Sequence, residues 1–370
     1  MRSVQNVAEE IRASLLLWYR SHKRDLPWRT EGTTPYHVLV SELMLQQTQV
    51  STVIPYYRRW LDRFPNVATL AAADEAEVLK LWQGLGYYRR ARFLLEAAKE
   101  IANRFQGEVP ANLGDLLSLP GIGRYTAGAV RSIGHKLPAP ILDGNVTRLL
   151  CRLHGMGDDP TLPKSQERLW RWAEELVPNV SSPSDDVADL SSGLMELGAT
   201  VCKPSQPMCG SCPLRKSCIA ASSGTVDKIP PPKRRKTPGK EFRAVFAICR
   251  SKTILVGPVA DAGRWAGLYE LPTAVCDEIG TQSQQRLIPS PPMGLKLRDI
   301  RYAGSLGHTL THRKYTFYVY TAKLDGRQTV DGFRFVDVRQ LSKTGGGIPV
   351  SRATEKILEM LAIQSGSLFS

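Results

Sequence analysis

The sequence predicts a multidomain chain in which an all-α domain is followed by a smaller α+β domain, and a change in apolar periodicity supports this. Up to about residue 220 the apolar residues recur at the spacing of helix faces, as in 4–18 and 91–105. Beyond residue 240 the period shortens to two in 242–250 and 315–320, which indicates strands. The stretch 351–361 returns to helical spacing, so we expect a closing helix.

A linker is predicted between the two patterns. Residues 220–240 have no apolar period and are rich in Ser, Gly, Pro, Lys and Arg. We therefore expect a helical domain at 1–219, a linker at 220–240 and a second domain at 241–365. The basic run 233–236 can contact nucleic acid or serve as an import signal, but a solvated tether is the preferred interpretation.

The charge of the chain favours a polyanionic partner. The 370 residues include 49 Lys and Arg against 35 Asp and Glu, a formal charge of +14. Such a surplus attracts phosphates and releases their counterions, although a merely soluble basic protein can carry it too. The N-terminus lacks the apolar segment of a secretory signal, and no apolar run reaches the roughly 20 residues that span a bilayer. We expect no membrane partner.

The first predicted helix that carries a candidate catalytic residue begins at Thr34 and Pro35. A hydroxyl side chain followed by proline is typical of a helix start. The hydroxyl accepts a hydrogen bond from a backbone N–H of the first turn. Proline is tolerated there because an N–H at that position would have no partner within the helix. The helix carries Glu42 among Leu39, Leu43 and Met44. A helical glutamate is usually a solvated charge, but these neighbours predict that Glu42 is partly desolvated.

A glycine-rich turn is predicted between two helical stretches, 113–118 and 124–133. The string Leu-Pro-Gly-Ile-Gly at 119–123 supplies Gly121 and Gly123, which let the backbone turn tightly and bring its N–H groups against a phosphate. An ordinary helix–helix turn is the alternative. The next helix start is Asp143 in Leu-Asp-Gly-Asn-Val at 142–146, which is typical of an N-cap and is also a candidate for catalysis.

Four of the seven cysteines form a cluster with intervals of six, two and five residues: Cys202, Cys209, Cys212 and Cys218. Four thiolates in one loop can enclose one metal centre. Zinc usually takes paired Cys-x2-Cys knuckles, and only one such pair occurs here. Disulfide pairing is the least favoured alternative in a chain without a secretory signal.

Together these strings resemble the MutY-type adenine DNA glycosylases of the helix-hairpin-helix superfamily. Residues 41–50, Ser-Glu-Leu-Met-Leu-Gln-Gln-Thr-Gln-Val, resemble the catalytic signature of that family, and Gly-Leu-Gly-Tyr-Tyr at 84–88, the hairpin, the Asp143 motif and the cysteine loop follow in family order. The resemblance covers residues 10–220 closely and the C-terminal part more loosely. It implies an endonuclease III-like core with a helix-hairpin-helix at 113–134, a [4Fe–4S] cluster on the four cysteines of the loop 202–218, and a Nudix-like C-terminal domain.

The resemblance implies base excision from double-stranded DNA in which adenine lies opposite 8-oxoguanine or guanine. Glu42 would be the general acid and base, and Asp143 would stabilise the sugar cation, oriented by Asn145 and Tyr125. Endonuclease III-type lyases carry a lysine nucleophile where this chain has Tyr125, so we expect a monofunctional enzyme. The DNA contacts implied by the family are Gln47, Thr48, Leu85, Tyr87, Gly121 and Gly123. For Tyr87, burial in the core is the alternative.

The C-terminal domain is expected to read the lesion opposite the adenine. The family's Phe-Ser-His loop is matched by Leu-Thr-His at 310–312, so Thr311 and His312 are the candidates, with an inert surface loop as the alternative. No carboxylate-rich box for hydrolysis by a Nudix enzyme is present in the sequence. Ser191 and Ser192 depart from the family, where Asn and then Gln or Glu are common, and this puts any supporting role there in doubt.

Two other functions stay open from the sequence: an endonuclease III-like glycosylase/lyase acting on oxidised pyrimidines, and a non-catalytic iron–sulfur protein that binds DNA. Tyr125, Glu42 and the extra domain oppose the first, and the presence of both Glu42 and Asp143 opposes the second. We expect a monomer associated with the nucleoid in a bacterial cytoplasm, or located in the nucleus of a eukaryote.

Overall fold

The computed structural model describes residues 4–232, 238–259, 268–279, 288–310, 313–341 and 348–364. The chain divides into two compact units, one made of Met1–Ala73 and Phe93–Arg234 and the other of Asp74–Arg92 and Arg235–Ser370. The basic run 233–236 lies outside the described residues. The boundaries expected from the sequence, at 219, 240 and 365, stay a prediction.

Thirteen α-helices occur among the described residues. They are α1 Val4–His22, α2 Pro35–Leu45, α3 Val50–Arg63, α4 Val67–Ala71, α5 Glu75–Trp82, α6 Arg89–Arg104, α7 Leu113–Ser118, α8 Arg124–Ala129, α9 Gly144–Leu153, α10 Pro163–Glu175, α11 Asp185–Thr200, α12 Ile219–Ser222 and α13 Arg352–Gln364. A π-helical turn, Val130–Gly134, continues α8.

The helix starts predicted from the sequence are confirmed at α2 and α9. Thr34 caps α2, because its hydroxyl accepts from the His37 N–H while the His37 ring accepts from the Thr34 N–H, and Pro35 follows at the first position. Asp143 caps α9 by accepting from the Val146 N–H at 2.7 Å. Both caps satisfy N–H groups that have no partner within their helix.

The core of the first unit joins α1, α9, α10 and α11 with the cysteine loop. Its buried members include Leu15 of α1, Leu150 of α9 and Leu197 of α11. Cys202, Leu214 and Ala220 belong to the same apolar cluster. The cysteine loop therefore packs onto α9, which Asp143 caps, and onto α11, which contains Ser192.

The turn between α7 and α8 requires glycine at one position only. Gly121 has a φ of +74°, and a Cβ placed there would lie 2.5 Å from the Cβ of Phe93. Gly123 caps α8 with a φ of −92°, and nothing lies within 4 Å of the position of an added Cβ. The helix-hairpin-helix predicted at 113–134 is thus formed by α7, a tight turn and α8 with its π-helical extension.

The second unit contains seven described strands: β1 Gly239–Arg250, β2 Thr253–Pro258, β3 Tyr269–Glu270, β4 Thr273–Cys276, β5 Leu297–Leu310, β6 Arg313–Leu324 and β7 Arg334–Asp337. Their order is β3-β2-β1-β6-β5, with β4 paired to β1 and β7 paired to β2. The pair β1 and β6 is parallel and the other pairs are antiparallel.

Successive side chains of β1 and β6 face opposite sides of the sheet, and apolar residues cover both faces. Val245 and Val319 belong to one apolar cluster with Ile357 of α13, and Phe246 and Tyr320 belong to a cluster on the other face. The strands and closing helix predicted from the sequence are confirmed. So is the fold class, a helical helix-hairpin-helix core with a smaller α+β domain.

We predict that Gly121→Ala destabilises the chain whereas Gly123→Ala does not. The first variant combines a left-handed backbone with overlap against the stem of Phe93, which costs about 1–3 kcal/mol. The second adds a methyl group in open space at an ordinary φ. Thermal unfolding of the two variants, followed by circular dichroism, measures the difference. Equal melting temperatures would show that the turn relaxes at no cost.

Candidate active site

One cavity of the first unit, of about 620 Å³, brings together six residues singled out from the sequence. They are Glu42, Gln47, Thr48, Tyr125, Asp143 and Asn145. Helix α2 supplies Glu42 near its end, α8 supplies Tyr125, and α9 begins directly after Asp143. Three helix termini therefore meet around one space.

The carboxyl group of Glu42 is withdrawn from water. The residue is 6% exposed, and the Tyr125 hydroxyl donates a hydrogen bond to its Oε2. Burial raises the pKa of Glu42 to about 7, and the charge of Asp143 raises it as well, whereas the Tyr125 hydrogen bond and the charge of Arg29 lower it. Glu42 can therefore hold or release a proton near neutral pH.

Tyr125 is fixed as a donor. Burial raises its pKa well above the ordinary value, and the charges of Glu42 and Asp143 raise it further. Its hydroxyl also lies 3.1 Å from the sulfur of Met195. A phenol that keeps its proton can orient the Glu42 carboxyl but cannot serve as an amine nucleophile.

Asp143 is oriented by Asn145 and a backbone N–H, whereas Tyr125, which the resemblance also expects to orient Asp143, donates its hydroxyl hydrogen bond to Glu42. Its Oδ1 accepts from the Val146 N–H at 2.7 Å and its Oδ2 from the Asn145 amide at 2.8 Å. The Asn145 oxygen in turn accepts from Arg148 at 3.0 Å. Because the cap and the amide hold different oxygens, the plane of the Asp143 carboxyl is fixed at the N-terminus of α9, where helix N–H groups favour negative charge.

The cavity wall also contains an ion cluster that the sequence reasoning missed. The side chain of Glu196 is 0% exposed and accepts from Arg24 at 2.6 Å and from Arg29 at 2.9 Å. Burial raises the pKa of Glu196, but the hydrogen bonds and charges of the two arginines outweigh it, and the net pKa is below its ordinary value. Trp28 lines the same space. No local period links these residues and each alone is an ordinary charged residue, so the sequence carries no signal for the cluster.

The predicted DNA contacts differ in exposure. Gln47 is exposed, with a φ of +57°, in the turn after α2, and Thr48 beside it is half-buried. In the second unit Tyr87 is 46% exposed with a φ of +50°, whereas the side chain of Leu85 is buried. Leu85 can therefore reach DNA only through its backbone. Thr311 and His312 lie outside the described residues.

Ser191 and Ser192, which depart from the family pattern, are both buried in α11. Ser192 lines the cavity and is hydrogen-bonded to Tyr19. Ser192 therefore contributes to the wall of the site with a shorter side chain than the Gln or Glu common in the family.

The four cysteines of the loop converge on a second, apolar cavity of the first unit. All four are free thiols, and no group of three or more His, Cys, Asp or Glu in the described part of the chain is arranged to hold a single metal ion. Burial raises the pKa of the Cys212 thiol to about 11, and the nearby Cys202, Cys218 and Cys209 raise it further. Arg152 donates to the Cys202 sulfur at 3.4 Å. An apolar cavity lined by four cysteines beside a buried cation fits an anionic cluster held by thiolates.

Comparison with known proteins relates the chain to base excision enzymes. A family model described as HhH-GPD superfamily base excision DNA repair protein matches residues 40–175. The adenine DNA glycosylase of Rattus norvegicus is 33% identical over 94% of this chain and 77% of its own length. That of Homo sapiens is 34% identical over 88% of this chain and 69% of its own length. The solved structure of a thermostable thymine-DNA glycosylase is 29% identical with a TM-score of 0.53, covering 59% of this chain and 98% of that chain.

Among the described residues, none of the helices combines the length and the apolar character that a membrane span requires.

We predict that Tyr125→Phe raises the pKa of Glu42 above 7, because the hydroxyl that stabilises the carboxylate is lost while burial stays. Tyr36→Phe is the matched control, since the Tyr36 hydroxyl donates to the Phe64 carbonyl instead. Titration of the Glu42 carboxyl carbon by NMR measures the shift. An unchanged midpoint in Tyr125→Phe would show that the hydrogen bond does not set this pKa.

Proposed function

Because the chain belongs to the adenine DNA glycosylase family, we propose that it excises adenine lying opposite 8-oxoguanine or guanine in double-stranded DNA, by a monofunctional reaction that uses water. The chain is a DNA glycosylase of base excision repair. The observation that carries the detailed proposal is one cavity with two differently held carboxyl groups. Glu42 is desolvated with a pKa of about 7, and Asp143 is bonded by N–H donors.

The reaction needs a proton for the leaving base. Adenine departs readily only after its ring is protonated, and the buried Glu42 carboxyl would give a proton to N7 of a base flipped into the cavity. The bond between C1′ of the sugar and N9 then breaks, and its electron pair goes to the base. Tyr125 orients the donor, since its hydroxyl is bonded to one Glu42 oxygen.

Loss of the base leaves positive charge on the deoxyribose. Asp143 is proposed to stabilise this charge, with its carboxyl plane set by Asn145 and the Val146 N–H. Glu42, now a carboxylate, takes a proton from the water that attacks C1′, which regenerates the acid and leaves an abasic site. A neutral acid and a charged partner divide the work as in glycosidases. No lysine stands at position 125, so the sugar is not trapped there as a Schiff base.

The buried ion cluster is proposed to recognise the flipped adenine. Adenine presents an amine donor at N6 and ring nitrogens as acceptors, and Glu196, Arg24 and Arg29 offer both kinds of partner in the cavity wall. A carboxylate that is kept charged by two guanidinium groups can accept from the amine. Trp28 supplies an apolar surface in the same wall.

The contacts with DNA are proposed to come from both units. Gln47 and Tyr87 would enter the opened base stack, and the backbone at Gly121 and Gly123 would meet a phosphate. Cys202, Cys209, Cys212 and Cys218 would hold a [4Fe–4S] cluster, which would cross-link the loop 202–218. The proposal that Thr311 and His312 read the opposite base concerns residues outside those described.

We predict that Glu42→Gln lowers the single-turnover rate of adenine release by about 10²–10⁴-fold, because an amide keeps the shape but carries no transferable proton. Asp143→Asn should be similarly impaired through loss of charge. The wild-type rate should fall above pH 7, as Glu42 loses its proton, and Glu42→Gln should lose this pH dependence.

Duplexes with adenine opposite 8-oxoguanine, adenine opposite guanine, and thymine glycol test this proposal. The strand should stay intact until alkali is added. Glu100→Gln, a partly exposed acid on α6, is the control. Near-normal rates in Glu42→Gln, or strand cleavage of thymine glycol without alkali, would contradict the proposal.

We predict about four irons in each purified chain, giving a brown protein. Cys212→Ser should lower the iron content, whereas Cys249→Ser in the second unit should not. Metal analysis by mass spectrometry is the measurement. Stoichiometric zinc in a colourless protein would refute the cluster.

A further inference from the structure

Within the second unit, a hydrogen bond attaches the segment that carries Tyr87 to helix α13. Gln83, the last residue before this segment, donates from its amide to Oε1 of Glu355 at 2.7 Å. The other oxygen of Glu355 accepts from Arg352 at 2.8 Å. Glu355 is 7% exposed, and a buried carboxylate is costly unless donors reach its oxygens. The hydrogen bond therefore joins Gln83 specifically to Glu355, and loss of either donor would destabilise the buried carboxylate.

The segment 84–88 is held as one body. Gly84, Gly86 and Tyr87 all have positive φ, at 100°, 72° and 50°. The indole of Trp82 donates to the Gly86 carbonyl at 3.0 Å, and the Arg90 guanidinium donates to the same carbonyl at 3.1 Å. That guanidinium also lies 5.3 Å from the centre of the Tyr87 ring. A displacement of Gln83 therefore displaces the Tyr87 side chain as well, because the backbone between them is held by these hydrogen bonds.

We propose that Gln83 and Glu355 are positioning residues through which α13 sets the orientation of Tyr87. This rests on the proposed function, in which Tyr87 enters the opened base stack. Neither residue touches the substrate. The C-terminal part of the chain then has a second task besides reading the opposite base, because it also places the side chain that opens the stack. The division of the chain agrees, since Asp74–Arg92 belongs to the same compact unit as α13.

The pair can be tested by exchanging its donor and acceptor in the full chain. Gln83→Glu sets two carboxylates against each other, and adding Glu355→Gln restores one amide facing one carboxylate. We expect Gln83→Glu to weaken duplex binding by about three- to tenfold, the size of one net hydrogen bond. It should also reduce the fluorescence of 2-aminopurine placed beside the mispair, because stacking is disturbed less. The exchanged pair should recover both values to within about twofold.

Three further variants make the outcome decisive. Gln83→Ala and Glu355→Ala should each reproduce the defect, and together they should be no worse than either alone. Glu359→Gln is the matched control on α13, because Glu359 binds Arg352 at 3.3 Å and is exposed. Melting temperatures of all variants separate local from global loss. The alanine variants provide the measurement should Gln83→Glu fail to fold.

Tyr87→Ala distinguishes the two levels of the proposal. A Tyr87→Ala chain with unchanged fluorescence and binding would overturn the role of Tyr87 in the stack. If Tyr87→Ala is defective, three results would each overturn the positioning role alone. These are an unaffected Gln83→Ala chain, additive losses in the double alanine variant, and no recovery in the exchanged pair. A fall in melting temperature without a change in fluorescence would also overturn it.

Discussion

The Glu42 carboxyl is kept out of water by α2 and its neighbours while a single hydroxyl, that of Tyr125, touches it. This desolvation is the constraint around which the cavity is organised. A more solvated glutamate would lose its proton at neutral pH, and one without the hydroxyl would hold the proton too tightly to return it. Asp143 has the opposite environment, since backbone and amide N–H groups face its oxygens. The chemical difference between the two carboxyl groups is thus created by their surroundings.

The helix that begins after Asp143 is supported from the cysteine loop. Arg148 donates to the Asn145 oxygen at 3.0 Å, the Gly198 carbonyl at 2.6 Å and the Cys202 carbonyl at 2.7 Å. Burial lowers the pKa of Arg148. A buried guanidinium is costly unless its N–H groups are hydrogen-bonded, so these three acceptors are needed. One guanidinium therefore links α9, α11 and the start of the loop. The loop has a structural role beside the site without contributing a side chain to the cavity that holds Glu42.

Both residues proposed to enter the base stack carry backbone strain. Gln47 and Tyr87 both have positive φ, which costs a side chain other than glycine about 1–3 kcal/mol. Each is braced by its neighbours, Gln47 by the bond from the Thr48 N–H to the Leu45 carbonyl at 3.2 Å and Tyr87 by Arg90. A strained turn that is held rigidly presents its side chain at low entropic cost, which suits a residue that must enter a space as soon as it opens.

Local chemistry determined what the sequence could predict. The start of α2 at Thr34, the Asp143 cap and the glycine turn each depend on a few adjacent residues, and all three are found where the pattern predicted. The ion cluster was missed because Arg24 and Glu196 are 172 positions apart and each alone is an ordinary charged residue. The sequence pattern likewise does not predict that residues 74–92 share a compact unit with the C-terminal part, since Gln83 and Glu355 are 272 positions apart. An amide and a carboxylate at such a separation leave no period or spacing in the sequence, so the contact that is proposed to place Tyr87 becomes visible only in the folded chain.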